Sequence, residues 1–466
     1  MPFSPPPPRR KLRVLVITTP NSNRHTQILQ LFATPPMQHH FETPTISPAI
    51  PSRSIRSQYN LLRTAHKAGI IPQEEWNAIS TPENLKLVKS DPESLLKCLK
   101  DVPITPRYNN ANVHYCVELW RKAKGLNRGR AVLACVLAHL IAMKTFVESD
   151  DDKFDVLLED NVRAPISIPA SLLSNQEDGG KEELYCECAE RIWNTIQTSE
   201  QWEHESGRQC HLRYYGWLGS IPNLEWLLHH YIPQTSFPAN NNNEQNKGGG
   251  GVFPFPSFVV QINNDNEDAT AKTQPEEEKE DTNNDDDKKH NANTAGGTPI
   301  WGAYAYSISS TGYQSLIQSL QHDVGAILWK GKRMRCYLVK PIDKILPRRI
   351  LSTLGDELEE EEQKKGMGVV HVTREPAFFR APMLSSKIHP QWDEGFCRST
   401  EYQLDHYGSC GRLDWDDLWL TTEEAEIVAY KKKSSCKGEN GNDGIWLTLA
   451  QLADLKLKEG GKDGDA

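Results

Sequence analysis

The chain has 466 residues and a formal net charge of -9, with a sequence pI near 6.0 and a mean hydropathy of -0.61. An acidic balance of this size excludes a general binder of nucleic acid or of anionic membrane surfaces, because such proteins need a basic face. A hydrophobic content of 37% leaves much of the chain outside any core, so one large domain carrying disordered inserts is expected.

Residues 1–11 form a proline-rich start, expected to be disordered. Leu12 to Thr18 reads as the first strand. Asn21-Ser22-Asn23 behind Pro20 supplies a cap for a helix running to Phe32, and strand, polar turn and helix together make a nucleotide-binding half-unit. Thr34 to Ser57 is rich in proline without clear periodicity and reads as an extended excursion. A helical insertion is expected over about 58–125, with proline-led starts at Pro72, Pro82 and Pro92 and a last helix at Tyr115 to Lys124.

Ala131 to Met143 is apolar apart from His139, too short to span a bilayer and long enough for a buried helix of about four turns. The cluster Asp150, Asp151 and Asp152 breaks it. Phe154 to Leu158 then fits a strand buried on both faces of a parallel sheet, and its end delivers Glu159, Asp160 and Asn161. Ligands of open α/β sheets sit beyond the carboxyl ends of strands, so carboxylates there suit a metal or a nucleotide; a solvated acidic turn is the alternative.

Further on, a polar loop leads from Pro165 to Glu183, a helix is expected around Ala189 to Thr198, and His211 to Leu218 reads as a strand. Residues 239–298 are rich in Asn, Asp, Glu and Gly, a composition that cannot offset the entropy of ordering; this insertion is expected to loop out of the fold, with one strand candidate at Phe258 to Ile262. Trp301 to Gly312 reads as a strand that turns into a helix at Tyr313 to Leu320, with Ser309 to Thr311 as the cap. Residues 401–466 read as a C-terminal extension, partly disordered.

The ten cysteines are scattered, and Cys186-Glu187-Cys188 and Cys210-His211 lack the repeated paired spacing of a structural zinc site, so reduced thiols are expected. No secretory signal, Asn-x-Ser/Thr acceptor or ER-retention signal is visible. Their absence points to the cytoplasm, with an endomembrane lumen as the alternative if the amino terminus is incomplete.

Several of these stretches resemble one family. Ala134-Cys135-Val136-Leu137-Ala138-His139 resembles the Gly-Cys-x-x-Ser-His of glycosyltransferase family 25, and Leu158-Glu159-Asp160-Asn161-Val162-Arg163 resembles its Leu-Glu-Asp-Asp-Val-Arg. Trp301 to Gly312 resembles the family's Gly-Thr-x-x-Tyr-x-Ile-Ser-x-x-Gly. Tyr337 to Pro347 resembles the Pro-Val-Asp-x-x-Leu-Pro of its procollagen galactosyltransferases, and Ala377 to Glu401, with His389 and Asp393-Glu394-Gly395, is similar in layout to a later segment of those enzymes. His211 to Leu218 is loosely similar to a Tyr-Leu-Gly segment.

The resemblance implies a GT-A-like α/β fold with a mostly parallel central sheet, a donor and metal-binding half over 12–238 and an acceptor-side half over 299–400. It implies an inverting transfer of a galactose-like hexose from a UDP-sugar donor to a glycan or protein hydroxyl, assisted by manganese or magnesium. On this reading Glu159, Asp160 and Asn161 hold or position the metal, and Arg24, His139, Arg163, Gly302, Tyr306 and Ser309 bind the donor. Asp343 is the base. Asn161 departs from the family, which has aspartate there, so weaker metal binding is expected, with recovery in Asn161→Asp. Two other classes stay open: a non-catalytic relative that binds a sugar nucleotide or glycan, and a scaffolding protein.

Overall fold

A computed structural model describes residues 10–55, 58–82, 129–149, 154–165, 186–218, 257–260, 301–330, 342–351, 369–373, 375–382, 400–401, 403–404 and 413–435. The fold grows from β1 (Val14–Thr18), a run of five buried residues with four β-branched side chains, and from β3 (Val156–Glu159) beside it. The two pair in parallel with Ile17 opposite Glu159. Asp155 fixes the other end of this pair: its carboxylate takes a bidentate contact from Arg10 at 2.6 and 2.8 Å and the backbone N–H of Arg13 at 2.8 Å.

Among the described residues, seven strands form the sheet in the order β2-β1-β3-β7-β5-β8-β6. The others are β2 (Thr45–Pro48), β5 (Leu212–Leu218), β6 (Ser257–Val260), β7 (Trp301–Ile308) and β8 (Val370–Thr373). β1, β2, β3, β5 and β8 run one way, while β7 is antiparallel to both its neighbours and β6 antiparallel to β8. The sheet is therefore mostly parallel in direction, within a mixed α/β architecture.

Alternation along β1 and β3 sends side chains to two cores. Leu15, Ile17 and Leu157 join one with α3 (Gln58–Lys67) and the long helix α5 (Gly129–Glu148), together with Leu316 of α7 (Ser310–Lys330) and Ile345 of α8 (Ile342–Leu351). Val14, Val16, Val156 and Leu158 join the other, with Ile28 and Leu31 of α1 (Asn23–Phe32), Met37 of α2 (Pro35–His40) and Ile192 of α6 (Glu187–Ser206). The strands are buried on both faces, as expected for Phe154 to Leu158.

Local signals account for several boundaries. Ser22 caps α1, its Oγ accepting from the His25 N–H at 3.1 Å. Pro72 stands at the N-cap of α4 (Gln73–Ile79). Ser309 accepts from the Gly312 N–H at 3.0 Å and starts α7, and Gly312 packs so tightly there that a Cβ would fall 2.3 Å from the His211 carbonyl oxygen. α5 outruns the expected Ala131 to Met143 because Phe146 continues the buried face beyond Lys144. Among the described residues it is the one helix long and apolar enough to cross a membrane, and it lies packed in the core.

Three elements differ from expectation or extend it. The proline-rich excursion contains an edge strand, β2, because β1 supplies a parallel partner that no local periodicity announces. The strand candidate inside the low-complexity insertion is the edge strand β6; most of 239–298 and of the helical insertion lies outside the described residues. The C-terminal extension contributes α9 (Thr422–Ser435) and a small third core of Phe379, Leu404, Trp415, Leu418 and Val428.

Because β6 closes one edge of the sheet, deleting 240–293 is expected to lower Tm by about 5 °C or more, equivalent to roughly 2 kcal/mol in a domain of this size. Deleting 261–293, which spares β6, is expected to change it by less than about 2 °C. Thermal unfolding of the two shortened chains checks this; equal melting would show that β6 adds no stability.

Candidate functional site

The parallel pairing of β1 and β3 brings Thr18 and the Glu159-Asp160-Asn161 segment to one edge of the sheet, at its carboxyl ends. Asp160 turns toward α1: the Thr18 hydroxyl donates to its Oδ2 at 2.7 Å, and the Arg24 guanidinium lies 3.6 Å from Oδ1. Burial pushes the Asp160 carboxyl above its ordinary pKa, with Arg24 and Thr18 opposing and the neighbouring charge of Glu159 adding to the rise.

Glu159 turns to the opposite face, toward α5. His139, 1% exposed, places Nε2 3.1 Å from Glu159 Oε1 and Nδ1 2.9 Å from the Tyr306 hydroxyl. Burial raises the Tyr306 pKa well above the usual tyrosine value, so its hydroxyl keeps the proton and donates it to Nδ1. The imidazole then presents Nε2–H to the carboxylate. On the other oxygen, Arg380 of β9 (Phe379–Arg380) approaches Oε2 at 3.3 Å. Burial works against the Glu159 carboxylate, but the His139 bond and the charges of Arg380 and Arg24 outweigh it and hold the group below its ordinary value.

Asn161 closes the cluster. With its amide oxygen facing the guanidinium, it accepts from Arg380 at 2.6 Å and donates to Glu159 Oε2 at 3.2 Å. The Arg380 guanidinium also stands over the Tyr304 ring, 5.7 Å from its centroid, a cation–π arrangement that helps hold it.

These contacts test the expected metal site. A manganese or magnesium ion wants several oxygens converging at about 2.1 Å. Here both oxygens of Glu159 face His139, Arg380 and Asn161, the Asn161 amide oxygen faces Arg380, and Asp160 faces Thr18 and Arg24 on the other side of the strand. Among the described residues, the group of three His, Cys, Asp or Glu ligand atoms lying within 4.8 Å of one another is Cys135, His139 and Glu159. It mixes thiol and imidazole with a single carboxylate. Burial, and then the charges of Glu159 and Asp343, push the Cys135 thiol far above its ordinary pKa, and a thiol is a soft ligand where manganese and magnesium take oxygen. The residues present do not fit a shared hard cation.

The other expected site residues divide. The β3–β7 register sets Tyr306 opposite Leu157 and runs Gly302, at φ +123°, toward the Asn161 end. Ser309 follows β7 at its opposite end and serves as the cap of α7. Arg163, on β4 (Val162–Arg163), faces the C-terminal extension: its Nε donates to Glu424 Oε2 at 2.7 Å and a terminal nitrogen to Oε1 at 2.5 Å, with Trp419 5.8 Å from the guanidinium. Asp343 is buried in the first turn of α8, where its charge is felt by Cys135 and Tyr214. His389 and Asp393 to Gly395 lie outside the described residues.

Thr18, Arg380 and Glu424 were not singled out from the sequence. Arg380 carried a signal: it is the single charge in the apolar run Ala377-Phe378-Phe379-Arg380-Ala381, and a charge in a buried run requires a buried counter-charge. Comparisons with protein-family models, with characterised proteins and with solved structures find no match to this chain.

Breaking the Arg163–Glu424 pair leaves one buried charge uncompensated, so Arg163→Ala is expected to destabilise the fold by about 3 kcal/mol or more. Chemical denaturation measures it, and a loss under about 1 kcal/mol would show that the pair is dispensable.

The two carboxylates have opposite linkage to pH. Glu159 is depressed in the folded state, so its stabilisation is present above its ordinary value of 4.5 and is lost as pH falls through the lower folded value. Asp160 is raised, so protonation of the folded state becomes favourable on acidification, and stability from this group is lost as pH rises through its folded pKa. The stability advantage of the native chain over Glu159→Gln is therefore expected to shrink between about pH 6 and pH 3. Melting temperatures across that range read it out. A difference that does not change with pH would mean that the fold leaves the Glu159 carboxyl at its unfolded pKa.

Proposed function

We propose that the chain is a glycosyltransferase that moves a galactose-like hexose from a UDP-sugar to a hydroxyl of a glycan or protein acceptor, on a GT-A-like fold. The observation that carries this reading is convergence. Segments resembling three separate motifs of one family, at 134–139, 158–163 and 301–312, meet through the Tyr306–His139–Glu159 chain at the carboxyl ends of β3 and β1, where open α/β sheets bind nucleotides.

The chemistry asked of the site is modest in kind. The acceptor oxygen forms a bond to the anomeric carbon as the bond from that carbon to UDP breaks, the acceptor proton passes to a base, and UDP leaves with its electron pair. Arg24 and Arg380 are assigned to the diphosphate, by charge-assisted hydrogen bonds. His139 and Tyr306 are positioning residues that hold Glu159 in one orientation. Asp343 is assigned as the base; what supports it is the motif and its charge on Cys135, the same thiol that feels Glu159.

A non-catalytic sugar-nucleotide-binding relative is the second reading, favoured by the engagement of all three expected metal ligands with other side chains. UDP release from each common UDP-sugar, measured with and without acceptor glycans, separates the two. On the first reading one donor releases UDP, and Asp343→Asn lowers that release by roughly two to four orders of magnitude with donor affinity nearly unchanged. Loss of donor binding in the same variant would make Asp343 a structural or ligand-contacting acid.

A further inference from the structure

Arg380 occupies the place at which the acidic motif would gather a cation. One of its terminal nitrogens lies 2.6 Å from the Asn161 amide oxygen and 3.3 Å from Glu159 Oε2, two of the oxygens expected to ligate a metal. An ion coordinated by those same oxygens would sit within a few ångströms of the guanidinium with a single carboxylate shared between the two cations, and two like charges at that separation repel in a partly buried site. The Arg380 side chain is 14% exposed, and the Tyr304 ring holds the guanidinium from one face.

Asn161 is chemically matched to that guanidinium. Its amide gives oxygen to Arg380 and N–H to Glu159 at once. An aspartate at the same position has no N–H to give and would set a second carboxylate beside Glu159, where an added divalent ion or proton would be needed to relieve the repulsion. The departure from the Asp of the resembled motif and the presence of Arg380 thus belong to one arrangement.

The charge count points the same way. Glu159 is matched by Arg380 and Asp160 by Arg24, so these four groups sum to zero without any ion. A diphosphate meets bare carboxylates in an acidic motif and needs a metal between; here each carboxylate already has a resident cation, and a planar guanidinium is shaped to engage phosphate oxygens.

Resting on the nucleotide-sugar reading, we infer that this site binds a nucleoside diphosphate without a divalent ion, with Arg380 and Arg24 in the role a metal would play. The test is calorimetric titration of UDP into the full chain, in EDTA and in excess manganese. The Kd is expected to agree within about threefold between the two conditions. Arg380→Ala is expected to weaken UDP at least about tenfold in both, the size of one lost hydrogen bond to a charged group. Arg380→Lys, which keeps the charge and loses the fork, falls between; thermal melting of both variants confirms that they are folded, and the lysine form serves if the alanine form is not. Binding that requires manganese, or that is unchanged in the folded Arg380 variants, overturns the inference and leaves the nucleotide-sugar reading standing. No UDP binding in either condition overturns both.

Discussion

A carboxylate carried to the end of a buried strand has to be neutralised where it stands, and three segments of the chain meet to neutralise Glu159. α5 contributes His139, β9 contributes Arg380, and the residue two places on, Asn161, bridges the carboxylate to the guanidinium. Tyr306 of β7 fixes the imidazole from behind. Removing any one of them leaves a charge or a polar group in a low-dielectric setting with fewer partners, and such networks lose more than a sum of single bonds. The site and the fold are therefore one construction at this edge of the sheet.

That dependence explains the place of β7. Its antiparallel insertion between β3 and β5 runs Tyr306 past Leu157 and lets the hydroxyl reach His139 on the α5 side. On the other face, the Thr18 and Arg24 contacts to Asp160 tie β1 and α1 to the same turn. β4 and β9 then pair antiparallel, with Val162 opposite Arg380, so the short hairpin-like contact that delivers Arg380 to Glu159 also sends Arg163 outward to Glu424. One dipeptide strand thus serves the site, and the residue beside it anchors the C-terminal extension.

Much of this was legible in the sequence where the signal is local. The β1 run, the Ser22 cap, the apolar α5 around His139 and the Ser309 cap follow from periodicity, residue volume and side-chain hydrogen bonding within a few positions. β2 was not legible, because a four-residue edge strand with mostly exposed or half-exposed side chains gains its hydrogen bonds from β1 and shows no pattern of its own. The pairing of charges was not legible either. Arg380 and Glu159 stand 221 positions apart, and Arg163 and Glu424 stand 261 apart, so Arg163 looked like a donor ligand while its partner lay in a stretch that no motif covered. The strand-end position and the resemblance to an acidic motif point to a joint metal site, but neither carries the directions of the side chains: Glu159 and Asp160 turn to opposite faces.

On the proposed function, the diphosphate binds at the carboxyl edge of β3 and β1, with arginines of the chain in the place of a metal ion. A crystal structure of the protein grown with UDP and manganese tests that most directly. The account predicts the diphosphate within hydrogen-bonding distance of the Arg380 and Arg24 guanidinium groups, with Glu159 still held by His139 and no ion between carboxylate and phosphate. A manganese ion bridging Glu159 or Asp160 to the diphosphate, with Arg380 displaced, would contradict it.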